Sequence, residues 1–215
     1  MDLEYTLYRF NNVRLNQRDS MKLRGYIANR FKHYLLHHHV RDKILYRYPL
    51  VQYKVIDGNP IIIGINEGAK LVVEIGVNNN ELIIDELSFS VNSYSIMKDT
   101  VYIGETPDYV HYRFISPWLA LNEKNYELYK NSNSIEQEEL LKRLLIGNIL
   151  SMCKGIGYNV KHELKCWLNV DKCLVNYKDI KMIGFKGEFK VNFDIPDYLG
   201  LGKAVSRGFG TIEKI

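Results

Sequence analysis

Apolar and polar residues alternate from the start of the chain. In LEYTLYRF, residues 3–10, Leu3, Tyr5, Leu7 and Arg9 share one face, and Tyr8 and Phe10 lie among those on the other, which is the period of a strand. The period then lengthens. Leu23, Tyr26, Ile27, Phe31, Tyr34 and Leu35 recur as one apolar stripe, predicting a helix that Asp19 or Ser20 can cap and that leaves HHH, residues 37–39, at its exit. YRYPLVQYKVIDGNPIIIGI holds two strand-like runs around Asp57-Gly58, the dipeptide that a tight hairpin turn prefers. NEGAKLVVEIGVNN fits a short helix or a strand, and ELIIDELSFSVNSYSIM returns to strand character.

The second half repeats the order. VHYRFISP reads as a strand and carries a second Tyr-Arg-Phe, at 112–114, to set beside the one at 8–10. A helix opens at Ser134, with Gln137 completing a capping box; Leu141, Leu144, Leu145, Ile149 and Met152 form its stripe, and Gly155 and Gly157 stop it. ELKCWLNVDKCLVNYK, with a break at Asp171, and IKMIGFKGEFKVNFDIP follow as strands, while LNEKNYELYKNSNS reads as a surface insertion. Strand, helix, hairpin, then helix and strand is the ferredoxin-like plan. The expected fold is therefore α+β, with tandem ferredoxin-like (RRM-like) domains. Residues 1–105 would carry the histidine cluster, and residues 106–215 would end in a C-terminal glycine-rich loop.

Composition narrows the function more than the fold. With 46% hydrophobic and 25% charged residues the chain is globular, neither disordered nor fibrous. Its formal charge of +4 permits a nucleic-acid partner without demanding one. Many of the 16 tyrosines stand beside cations, as in Tyr8-Arg9-Phe10, Tyr46-Arg47-Tyr48 and Tyr112-Arg113-Phe114. Such stacking surface suits single-stranded nucleic acid, although tyrosine is also a good strand residue with one wet face. Cys153, Cys166 and Cys173 are odd in number and lack C-x-x-C spacing, which argues against a disulfide framework. MDLEYTLYRF carries acids where a signal peptide would carry bases, and no apolar run approaches the roughly 18 residues of a membrane span. The expectation is a soluble, cytoplasmic protein with no membrane partner.

The end of the chain poses a separate question. Gly200, Gly202, Gly208 and Gly210 free backbone N–H groups to line an anion-binding concavity, with Lys203 and Arg207 adding charge and Ser206 a hydroxyl. Phosphate is the natural guest, yet the spacing is not that of a nucleoside triphosphate loop. A tight chain crossing would use the same glycines.

FDIPDYLGLGKAVSRGFGTI, residues 193–212, resembles the C-terminal signature of the CRISPR repeat-processing endoribonucleases of the RAMP superfamily. Their glycine-rich loop is written G-h-G and again G-h-G, matched by Gly200-Leu201-Gly202 and Gly208-Phe209-Gly210. KLRGYIANRF, followed by YRYPLVQYKVIDGNPIIIGINEGA, resembles the family's first helix and its second and third strands. The resemblance implies tandem ferredoxin-like domains and cutting of precursor CRISPR RNA within its repeat, without a metal or other cofactor.

RNA scission of that kind needs a base for the ribose 2′-OH and an acid for the departing 5′ oxygen, and histidine can play both parts near pH 7. In the lineage this sequence is most similar to, an H-x-H pair sits at this place with a tyrosine downstream. His37 and His39 carry that spacing, and His38 departs from the usual middle residue, so which two of the three act stays open. Tyr46 is the first choice of tyrosine and Tyr48 the second. A zinc site would need a third ligand, which the scattered His33, His111 and His162 do not suggest. Arg41 and Lys43 are placed to hold the phosphate, and Arg24 would join them with the glycine loop. The expected partner is CRISPR repeat RNA, with other subunits of a crRNA-guided interference complex and a homodimer as further candidates. The alternative is a non-catalytic RNA-binding subunit of such a complex.

Overall fold

The computed structural model of the chain describes residues 1–36, 39–40, 43–44, 48–178 and 180–215, with the backbone alone at 39, 40, 43 and 44. The chain forms two compact units, Met1–Tyr102 with Ser206–Gly208, and Ile103–Val205 with Phe209–Ile215.

In the first unit, β1 (Asp2–Phe10) leads through a 3₁₀ turn into α1 (Ser20–Arg30). The predicted stripe holds at Leu23 and Ile27, which are buried, but the helix stops at Arg30, short of Tyr34 and Leu35. Phe31 turns extended, and a separate 3₁₀ turn over Tyr34–Leu36 brings Leu36 into the core and leaves Tyr34 54% exposed. Two short strands follow, β2 (His39–Val40) and β3 (Lys43–Ile44), and then β4 (Val51–Ile56) and β5 (Asn59–Ile65). Asp57 and Gly58 both take positive φ between β4 and β5, as a two-residue hairpin turn requires.

The ambiguous stretch is the helix α2 (Glu67–Asn78), which buries Leu71, Val72 and Ile75 at helical spacing. It is followed by the hairpin of β6 (Glu81–Ile84) and β7 (Leu87–Ser90), and by β8 (Tyr94–Tyr102). The sheet order is β4-β5-β1-β8, antiparallel throughout. This is the ferredoxin-like arrangement. Tyr8, Phe10, Tyr53 and Ile62 form its core with Leu23 and Ile27 of α1 and Val72 and Ile75 of α2.

Lys54, next to Tyr53 on β4, is only 1% exposed, and burial pushes its ammonium down to about 7. Lysine in an unfolded chain titrates near about 10.4. Between those values the unfolded chain holds a proton that the folded one has released, so stability rises with pH across that window. Lys54→Met is therefore expected to be more stable than the native chain at about pH 6, with the gain shrinking as the pH approaches about 10. Urea unfolding at both pH values reads this, and a gain that stays constant would refute it.

The second unit repeats the plan with β9 (Gly104–Phe114), α3 (Glu123–Asn131), α4 (Ser134–Ile156), β10 (Cys166–Tyr177), β11 (Ile180–Asp194) and β12 (Ile212–Lys214). Its order is β10-β11-β9-β12, so β9 holds the place of β1. Tyr112-Arg113-Phe114 ends β9 as Tyr8-Arg9-Phe10 ends β1, with both aromatic rings buried in each case. Phe114 stacks on Trp118 at 5.2 Å and 3°, and the indole Nε1 donates to Asn148 of α4 at 2.9 Å. Where the chain runs from β5 to β8 through α2, it runs from β11 to β12 through the glycine-rich segment, whose 3₁₀ turn at Val205–Arg207 falls mostly within the first unit.

Three local expectations change. The supposed insertion contains α3. The cap of α4 is Asn133, whose side chain accepts from the N–H groups of Ile135 and Glu136, while Glu136 accepts from the N–H of Asn133. Asparagine caps as well as serine, which frees Gln137 to donate to the carbonyls of Tyr129 and Ser132 between α3 and α4. Finally, β10 runs unbroken through Asp171, which is exposed on an edge strand and pairs with Lys186. Among the described residues no helix is long and apolar enough to cross a membrane.

Candidate active site

His37, His38, Arg41 and Tyr46 lie outside the described residues. His39 and Lys43 are described by their backbone in the β2–β3 pair, where His39 faces Ile44 and Val40 faces Lys43. The stretch that holds all six candidates is fastened at both ends. On the N-terminal side Leu36 is buried, and its carbonyl accepts a hydrogen bond from the Arg24 guanidinium at 3.2 Å. On the C-terminal side the Leu50 carbonyl accepts from the Ile65 N–H at 2.9 Å, and the Gln52 side chain donates to the Pro49 carbonyl at 3.2 Å.

Arg24, expected as a phosphate ligand, thus holds the backbone immediately before the histidines. Its charge also acts on Tyr53, whose buried hydroxyl has no hydrogen-bond partner among the described residues. Burial raises the pKa of that phenol, and the guanidinium opposes the rise. Tyr48 is half-buried and stands before β4 rather than in it. Tyr48 therefore stands outside the strand expected to carry it, because β4 begins only at Val51.

In the glycine-rich segment the two G-h-G triplets lie side by side. Gly200 bridges Thr211, the Leu201 N–H donates to the Gly210 carbonyl at 2.9 Å, and the Gly210 N–H donates to the Pro117 carbonyl at 2.8 Å. Gly208, in the part of the segment that belongs to the first unit, has φ +89°, and a Cβ there would come within 2.7 Å of the Ser20 side chain at the start of α1. Close chain packing thus leaves no room for a side chain at Gly202, Gly208 or Gly210. Of the side chains expected on phosphate, Lys203 is exposed, Arg207 half-buried and Ser206 buried.

Comparison with known proteins follows the same division. The sequence matches the Cas6b N-terminal domain over residues 1–102 and the Cas6b C-terminal domain over residues 104–215. The chain belongs to the Cas6b family. A crystal structure of Cas6b is 45% identical, with a TM-score of 0.96 and full coverage of both chains. A second, of the CRISPR RNA processing endoribonuclease Cas6b, is 43% identical, again over the whole of both chains, with a TM-score of 0.83. An uncharacterized protein of Methanocaldococcus jannaschii is 46% identical over 144 residues, covering 66% of this chain and 97% of that protein. At 14% identity and a TM-score of 0.58, over 100% of this chain and 99% of the other, a RAMP protein binding different RNA substrates shares the fold.

One feature is not apparent from sequence order. Asp2, Glu4, His33, Tyr34, Leu35, Asn66, Glu67 and Lys70 line a cavity of about 440 Å³. They come from three separated stretches that only the fold brings together. Among the described residues no group of three or more His, Cys, Asp or Glu side chains is placed to hold a metal ion.

Proposed function

We propose that this chain is a metal-independent endoribonuclease that cuts precursor CRISPR RNA within its repeat. The observation that carries the reading is the likeness over full length to a CRISPR RNA processing endoribonuclease, 43% identical. The histidine stretch between Leu36 and Leu50 supplies the chemistry. One imidazole of the His37, His38, His39 set takes the proton of the ribose 2′-OH, whose oxygen attacks the adjacent phosphorus. As the P–O5′ bond breaks, a second imidazole or the Tyr46 phenol, with Tyr48 as the second candidate, delivers a proton to O5′. The products are a 2′,3′-cyclic phosphate and a 5′-hydroxyl. Arg41 and Lys43 offset the charge that builds on the phosphorane oxygens. Arg24 fixes the backbone from which the histidines project, and Lys203 and Arg207 contact phosphates of the bound strand.

The test is cleavage of the host's labelled repeat RNA in EDTA, with a 2′-deoxy nucleotide at the scissile position in a parallel reaction. Cutting that survives EDTA and vanishes with the deoxy nucleotide is the expected result. Tight binding without cutting would instead mark a non-catalytic RNA-binding subunit, and cutting that EDTA abolishes would overturn metal independence.

A further inference from the structure

The cavity of Asp2, His33 and Glu67 has a chemistry of its own. The rings of His33 and Tyr34 pack tilted against each other at 4.6 Å and 32°, and Tyr34, three residues before His37 in the sequence, is exposed. Its hydroxyl donates to Glu67 Oε2 at 2.8 Å, which holds that carboxylate at the cavity. The Leu35 N–H donates to His33 Nδ1 at 3.3 Å, so the neutral ring carries its proton on Nε2 and is a donor there. The lining contains the carboxylates of Asp2, Glu4 and Glu67 against the single ammonium of Lys70.

That balance repels a phosphate and favours a group that donates hydrogen bonds. A flat aromatic face and carboxylate acceptors in one cavity match an unstacked nucleobase, because single-stranded RNA is read by stacking and by the Watson–Crick edge. Guanine is the standard base whose edge sets one acceptor, O6, beside two adjacent donors, N1–H and the N2 amino group. Adenine and cytosine present a single amino donor on that edge, and uracil a single N–H. At about 440 Å³ the cavity is in the size range of small-molecule sites, about 300–1,000 Å³.

We propose that this cavity binds a guanine of the repeat RNA, with the base stacked on the face of Tyr34 away from His33, and N1–H and N2–H donating to Glu67. The inference rests on the function proposed above and adds a specificity pocket to it. Asp2 and Glu4 then extend the acceptor wall.

The test uses repeat RNA made uncleavable by a 2′-deoxy scissile nucleotide, with each guanine replaced in turn by inosine, which keeps O6 and N1–H but lacks the amino group. At one position inosine should weaken binding to the native chain by roughly tenfold, the scale of a good base-edge pair. Glu67 is exposed, so Glu67→Gln should keep the native melting temperature. In that variant the guanine RNA should bind roughly tenfold more weakly, and the inosine penalty at that one position should fall below about twofold. Native chain that binds and cuts the unmodified repeat yet tolerates inosine at every guanine would overturn the pocket alone. An inosine penalty undiminished in Glu67→Gln would overturn it as well. Native chain that neither binds nor cuts the repeat would overturn the proposed function and the pocket together.

Discussion

A His37→Ala, His39→Ala double variant is expected to cut repeat RNA at least roughly 10³-fold more slowly than the native chain, with its affinity for uncleavable RNA unchanged. A positioned general acid or base contributes about 10²–10⁴-fold, and partners in one proton-transfer sequence do not add, so either single variant should lose nearly as much as the pair. Binding is carried mainly by cations that replace phosphate counterions, and two histidine side chains are a small part of the cationic groups that contribute to it. Single-turnover cleavage with excess enzyme separates the two effects. His38→Ala alone should cost far less than the pair; if it costs as much, the acting pair includes His38.

The second large effect lies in the glycine-rich segment. Gly210 has φ +61°, and a Cβ there would collide with the Leu201 carbonyl, whose own N–H is bonded to the Gly210 carbonyl. Gly210→Val adds a β-branched side chain to a left-handed backbone and forces the triplets apart, a loss of about 3 kcal/mol or more. With a denaturant slope of about 1–3 kcal/mol per molar urea, the unfolding midpoint should fall by about 1–3 M. Gly147 is the control: it is exposed within α4 and has no atom within 4 Å of its would-be Cβ. Gly147→Ala should stabilise by about 0.5–1 kcal/mol, because glycine is a poor helix residue. A Gly210→Val chain with native stability would mean that the triplets are held apart in solution, leaving their glycines free for RNA alone.

Several elements were legible before any coordinates. Asp57-Gly58 announced its turn because the positive φ at both positions is a demand local to two residues. The stripe of α4 was readable for a similar reason, since Leu141, Leu145, Ile149 and Met152 all fall on the buried face. The repeated Tyr-Arg-Phe marked equivalent strands because each ends the first strand of its own unit. The paired G-h-G triplets and the neighbouring strand patterns pointed to the family. The histidine stretch was named from spacing and resemblance, and its chemistry stands as a proposal.

Sequence by itself thus determined what depends on neighbours within a few residues: strand and helix periods, one hairpin turn, the ferredoxin-like order and the family signature. Tertiary structure decided whatever depends on who lies opposite. NEGAKLVVEIGVNN satisfies both periods, and only packing against β1 and β5 selects the helix. α1 stops at Arg30 because the following turn buries Leu36. Asp171 stays in a strand because its ladder partner is Lys186 and its side faces solvent. Arg24 looks like any surface cation in the sequence, and its carbonyl partner is set by the chain's return past α1. The cavity of Asp2, His33 and Glu67 exists only once three distant stretches meet, since hydrogen bonds and ring contacts act over a few ångströms of space without regard to chain separation.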